Sequence, residues 1–151
     1  MQNKTKLKIF IAVVVLAALA ILVNYIFSEV VSVHGNLIKR IYVRDVPVKA
    51  ELVKSEEKIQ LGLAGRKSLL EGRGMLFEMM EDDLQHFWMK GMRFPIDIIW
   101  IENSRIIGCE KNISPEDQRI FSSPDYAGYV LEVPEGFCDE HKVGINDEVK
   151  I

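Results

Sequence analysis

Two acidic residues interrupt apolar strand-like runs, and they are the first candidates for chemistry. Asp97 lies within Ile96-Asp97-Ile98-Ile99-Trp100-Ile101, and Glu132 within Tyr129-Val130-Leu131-Glu132-Val133. A carboxylate among apolar neighbours is costly to bury unless it is paired or hydrogen-bonded. Brought into one concavity, two such acids form an acid/base pair of the kind that runs glycoside or proton-transfer chemistry. The structural alternatives are plain. Asp97 accepts backbone N–H bonds or pairs with Lys90 or Arg66. By strand alternation Glu132 shares a face with Val130, opposite Tyr129, Leu131 and Val133, and a lone acid there is ordinarily solvated.

Phe87-Trp88-Met89-Lys90 supplies a second set of candidates. Alternation puts Trp88 and Lys90 on one face, with Phe87 and Met89 on the other. A flat aromatic beside a cation suits sugars or small acidic ligands. The alternative is a Trp88 that covers core while Lys90 snorkels to solvent. Residues 86–90 and 96–101 read as two strands of a hairpin. An even loop (91–96) sets Lys90 against Asp97, and an odd loop (91–95) sends the two to opposite faces. Arg66 follows a helix end, where a cation is favourable, and is a third candidate for clamping Asp97 or an anionic ligand.

The familiar catalytic and metal signatures are missing. No phosphate loop, nucleophile elbow, zinc-protease or calcium-loop motif is present. Gly62 to Ser68 has the wrong glycine spacing for a phosphate loop and closes a helix instead of opening one. Ser68, Ser104, Ser114, Ser122 and Ser123 have no activating context. Cys138-x-x-His141 offers two ligands where a metal site needs three or four. Glu81, Asp82 and Asp83 have no calcium-loop spacing. No metal or cofactor is expected. Cys109 and Cys138 are either two separate thiols or, outside the cytoplasm, a pair.

The elements that must position these residues begin with an appendage. Residues 9–27, IFIAVVVLAALAILVNYIF, are apolar except for Asn24, and they follow Lys4, Lys6 and Lys8. As a helix they span about 28 Å, enough to cross a bilayer. Ala18-Leu19-Ala20 fits a cleavage site, which would release a secreted domain. The apolar run continues past Ala20, so an uncleaved single-pass anchor is favoured. The N-terminal lysines then stay cytoplasmic and the rest lies outside, at the cell membrane, although Lys39, Arg40 and Arg44 compete for the inside. The organisation is a basic segment 1–8, an anchor 9–27, a connector 28–40 and a domain 41–151.

The chain carries 19 basic and 22 acidic residues, net −3. Without Lys4, Lys6 and Lys8 the balance is 16 to 22, net −6. Such a domain is not expected to attract nucleic acid or anionic membrane surfaces.

Within 41–151, Ile41–Val43 and Val46–Val53 alternate as half-buried strands. Ser55 caps a short helix, about 56–64, with Glu56 and Glu57 at its start. Strands follow at 75–77, 86–90, 96–101, 105–111, 129–133 and 148–151, with an irregular loop at 112–125 and a brief helix at 135–141. This pattern gives a mainly β fold, a compact antiparallel barrel or sandwich with two short helices behind one transmembrane helix. Repeated βαβ units are not expected.

The order of motifs carries a resemblance. Gln60 to Leu69 is followed by Gly74-Met75-Leu76-Phe77, Phe87-Trp88-Met89-Lys90 and Pro95-Ile96-Asp97-Ile98. Then come Tyr129 to Val133 with Gly136, and Val143 to Asp147. This resembles the family catalogued as domain of unknown function 192, whose members are often secreted or membrane-anchored. The family's usual form reads Phe-Trp-Met-Lys-Asn-Thr, then Pro-Leu-Asp-Ile. Here Gly91-Met92 replaces Asn-Thr, Ile96 replaces Leu, and Gly144 is separated from Asp147. The resemblance implies a compact β-rich fold and no established activity.

Three functions follow as expectations. The first is a membrane-held module that binds a small polar ligand, such as a carbohydrate, or serves an envelope partner, through Trp88, Lys90 and Arg66. The second is a hydrolase using Asp97 and Glu132. The third is a purely structural envelope protein. The missing motifs weigh against an enzyme.

Overall fold

The computed structural model describes residues 2–80 and 83–151, so two of the three acids at 81–83 lie outside the described residues. A long helix, α1 (Gln2–Val30), precedes β1 (Leu37–Val43), β2 (Val46–Val53), α2 (Glu56–Leu61) and β3 (Arg73–Glu78). Next come β4 (His86–Trp88), β5 (Ile96–Glu102), β6 (Arg105–Ile113), β7 (Ile120–Ser122) and β8 (Tyr129–Pro134). A one-turn helix, α3 (Phe137–Glu140), and β9 (Val149–Lys150) complete the chain.

Seven strands form one sheet in the order β6-β5-β8-β3-β2-β1-β9. The sheet curls until its two edges meet, where Arg105 at the start of β6 bridges Glu148 beside β9. The fold is therefore mainly β, a curled half-barrel. Its pairs are antiparallel except β2 with β3, which run parallel across a crossover through α2. That βαβ unit is the parallel exception in an otherwise antiparallel sheet, so the expected β-rich, mainly antiparallel fold holds. The 54–72 segment is long enough to return the chain to the same end of the sheet, as a parallel pair requires.

Each face of the sheet buries a separate core. On one face Ile41, Val48, Leu76, Ile99, Leu131 and Val133 pack with Phe137 and Cys138 of α3. On the other, Met75, Phe77, Ile98, Trp100 and Val130 pack beneath Leu63, Phe87, Met89 and Phe121. Both faces are covered, so β5 reads as an unbroken buried run. Full burial of each large apolar side chain is worth about 1.5–3 kcal/mol.

The expected hairpin between residues 86–90 and 96–101 is absent. β4 pairs with β7 in a separate two-stranded sheet, His86 opposite Ser122 and Trp88 opposite Ile120. β5 lies instead between β6 and β8. The loop-parity question therefore has no bearing on Lys90 and Asp97. β7 arises within the segment read as irregular loop. It is only three residues long, too short for a periodic signal.

Other boundaries shift modestly. α2 ends at Leu61, and Ser55 occupies the N-cap position without a side-chain capping bond. β1 starts at Leu37, inside the expected connector. Cys109 on β6 and Cys138 on α3 form a disulfide, which fixes α3 over the sheet.

Candidate functional site

Register decides which acids meet. Across β5 and β8, Asp97 faces Val133 while Ile98 faces Glu132. Directly opposed residues point to the same side, so Asp97 and Glu132 project from opposite faces of the sheet. The acid/base pair required for a hydrolase is not formed.

Asp97 is fully buried on the face that packs against α3. Its Oδ1 accepts the backbone N–H of Asn112 at 2.7 Å and of Gly136 at 3.3 Å, and its Oδ2 accepts that of Cys138 at 2.8 Å. Neither Lys90 nor Arg66 is its partner. It thus ties the end of β6 to the turn that starts α3. Asn112 and Gly136 have positive φ, 51° and 81°. Such turns leave N–H groups that the sheet does not satisfy, and the carboxylate satisfies them. Asp97, Cys109 and Cys138 lie close enough together to suggest a metal triad, but both sulfurs are committed to the disulfide.

Glu132 lies on the other face, opposite Met75 on β3 and Ile98 on β5. It is 5% exposed, and its Oε2 has no hydrogen-bond partner. Among the described residues only the Trp100 indole N–H shares that condition. Burial pushes the Glu132 carboxyl up to about 8, against a smaller opposing pull from the Arg66 charge. At neutral pH it is mostly the uncharged acid, able to donate one hydrogen bond and accept others.

Glu132 floors a cleft of about 170 Å³ whose lining includes Trp88, Lys90, Met92 and the Gly62–Ala64 turn. Two segments form its walls. One is the turn that follows α2. The other is the chain leaving β4, where Phe87 and Met89 turn into the core and Trp88 and Lys90 turn out. Trp88 is 47% exposed. The walls are tied together by the Gly65 N–H donating to the Gly91 carbonyl at 2.9 Å. Gly91 has φ 78°, and a Cβ there would meet the Ala64 Cβ at 3.2 Å. It stands where the related pattern has Asn. Gly and Asn are the residues that enter this left-handed conformation most readily, so the exchange keeps the turn.

Arg66 borders an adjoining hollow that shares Leu61, Gly62 and Ala64 with the cleft. Its guanidinium forks onto Glu51, Nη1 to Oε1 at 2.5 Å and Nη2 to Oε2 at 2.9 Å. Glu51 Oε2 also accepts from Ser32 and Asn36, each at 2.9 Å, and Lys58 donates to Asn36 Oδ1. Burial alone would raise the Glu51 carboxyl, yet the bonds from Arg66, Asn36 and Ser32 outweigh it and hold it at about 2. The hub joins the connector after α1 to the turn beside the cleft. Sequence inspection missed Glu51, whose only signal was its place opposite the apolar side of β2.

Of the five candidate residues, Trp88, Lys90 and Glu132 therefore share one cleft. Arg66 stands beside it through Glu51, and Asp97 is remote. The cleft supplies a flat aromatic and a cation at the rim, apolar walls and a neutral acid at the base.

The fold recurs in solved proteins. A protein of unknown function from Novosphingobium aromaticivorans is 25% identical and superposes with a TM-score of 0.76 over 81% of this chain and 91% of its own. A Sinorhizobium meliloti protein, provisionally described as a transcription regulator, is 25% identical with a TM-score of 0.68 over 74% of this chain and 89% of its own. No curated protein matches significantly. The family DUF192, described as an uncharacterised ACR, matches residues 39–151, which hold the whole of the site, and this chain belongs to it.

Proposed function

We propose that the chain is a membrane-held, extracytoplasmic binding module whose cleft takes a small polar, sugar-like ligand. One observation carries the reading: the buried Glu132 carboxyl, with an unpartnered oxygen, at the floor of a cleft rimmed by Trp88 and Lys90. A buried polar atom without a partner costs free energy, and a ligand hydroxyl removes that cost. Trp88 offers a stacking face for a sugar ring, and Lys90 suits an acidic substituent. The tether is α1, whose residues 4–30 are long and apolar enough to cross a membrane. A signal-sequence role for α1 would release the same module in soluble form.

Binding is favoured over hydrolysis because Asp97 and Glu132 do not share a face. The test is titration calorimetry of the full chain in detergent with neutral and acidic mono- and oligosaccharides. Binding lost in Trp88→Ala supports the reading. No binding, or binding indifferent to Trp88→Ala, removes it and leaves a structural role.

A further inference from the structure

Three cations stand in one cross-strand row. Arg40 on β1 is directly opposite Lys49 on β2, which is directly opposite Arg73 on β3. Like charges so placed repel and destabilise a sheet. The row departs from the expectation, drawn from net charge, that the domain offers nothing to anionic surfaces. One compensation is visible: Glu29 at the end of α1 pairs with Lys49, and Arg40 and Arg73 act on the same carboxylate. Neither arginine forms an ion pair of its own among the described residues. Lys67 and Arg73 line the broad hollow beside residues 31–34, while Glu71 is the nearby acid on the Arg40 side.

The position of this row matters. Residues 4–30 form a helix about 40 Å long, longer than a hydrocarbon core of about 30 Å. Its last turn, with Glu29, therefore emerges among lipid headgroups, and the row is one side chain away. Beside it, in the same hollow, stand largely exposed apolar side chains: Val33 at 97% exposure and Leu70 at 68%. Cations interleaved with exposed aliphatic residues are the composition of a membrane-resting surface.

We propose that this face docks on the bilayer that holds α1, with Arg40, Lys67 and Arg73 taking the phosphodiester of anionic phospholipids and Val33 and Leu70 entering the interface. It rests on the anchored form of the proposed function and not on the sugar-like ligand. Docking would fix the tilt of the domain, and the Glu51 hub would join the docked connector to the wall of the cleft.

The experiment uses the full chain in nanodiscs of phosphatidylcholine, with or without phosphatidylglycerol. An environment-sensitive fluorophore is placed at Leu70→Cys or, as a control, at Ile145→Cys. Cys109 and Cys138 are paired, so the added thiol takes the label. Ile145 is also exposed, but its neighbour Asn146 donates to the Ile106 carbonyl of β6, which β5 and β8 separate from β3. The expected result is a blue shift at Leu70→Cys in the anionic discs, none at Ile145→Cys, and loss of the shift in Arg40→Gln/Arg73→Gln and at high salt. Retention in the disc with the same Leu70→Cys emission in both lipids overturns docking alone. Failure to stay with the disc overturns the anchor and docking together. The same shift from inorganic phosphate in detergent shows an anion site indifferent to lipid and also overturns the proposal.

Discussion

Asp97 and Glu132 are one register step apart on adjacent strands, yet their carboxyls occupy opposite faces of the sheet. Each answers burial differently. Asp97 is met by three backbone N–H groups from two turns. Glu132 is met by none, and it opens instead onto a cleft. The first arrangement serves folding, and the second is the one on which the proposed binding rests.

Glu132 should make the fold lose stability as pH rises from acid to about 8. Its carboxyl stands at about 8 in the folded chain against 4.5 when exposed. Below pH 4.5 both states hold the proton and there is no penalty. Between 4.5 and 8 the unfolded chain ionises while the folded chain does not, so stability falls by up to about 1.4 kcal/mol per pH unit. Denaturant titrations of wild type and Glu132→Gln should diverge in the variant's favour across that window. Parallel pH profiles would show that Glu132 is not held neutral.

Asp97→Ala should be among the most damaging single substitutions. It strands three N–H donors, that of Cys138 fully buried and those of Asn112 and Gly136 partly so, a loss of about 3 kcal/mol. Asp97→Asn keeps the shape and one acceptor oxygen, so it should lose less. Urea denaturation of both variants orders the costs, and equal, small losses would contradict the structural role.

Reducing the Cys109–Cys138 bond should cost about 3–4 kcal/mol, from the loop entropy of a 29-residue separation. The comparison is denaturation with and without a thiol reductant. Unchanged midpoints would mean that the bridge does not constrain the unfolded chain.

Glu51 should act at the acid end. Its folded value of about 2 lies below the ordinary 4.5, so its contribution is present above pH 4.5 and disappears as pH falls through about 2. Glu51→Gln should be less stable than wild type at neutral pH, and the gap should close on acidification. A gap independent of pH would contradict the charge-based hub.

Strand alternation and short apolar runs were enough to read most of the sheet: β2 carries apolar and polar residues by face, while β5 and β8 read as apolar runs because both their faces are covered. Alternation also separated Trp88 and Lys90 from Phe87 and Met89. It did not reveal strand partners. The adjacency of 86–90 and 96–101 in sequence suggested a hairpin, but β4 left the main sheet to cover the core around Phe77 and Trp100, with Phe87 in edge contact with both rings. Glu51 and the Arg40–Lys49–Arg73 row depend on the parallel β2–β3 register, which no local pattern encodes. Asp97 was recognisable as a buried acid needing partners, but backbone donors from residues 112, 136 and 138 leave no trace in side-chain chemistry.

In the proposed complex a small polar ligand seats over Glu132 between Trp88 and the Gly62–Ala64 turn. Amide and indole NMR spectra of the isotope-labelled full chain, recorded against a monosaccharide and disaccharide panel, test it most directly. Binding in the cleft should give shifts confined to the Trp88 indole, residues 62–64 and Lys90, lost in Glu132→Ala while the remaining spectrum stays folded. Spectra unmoved by every sugar, or shifts that map elsewhere and survive Glu132→Ala, would contradict it.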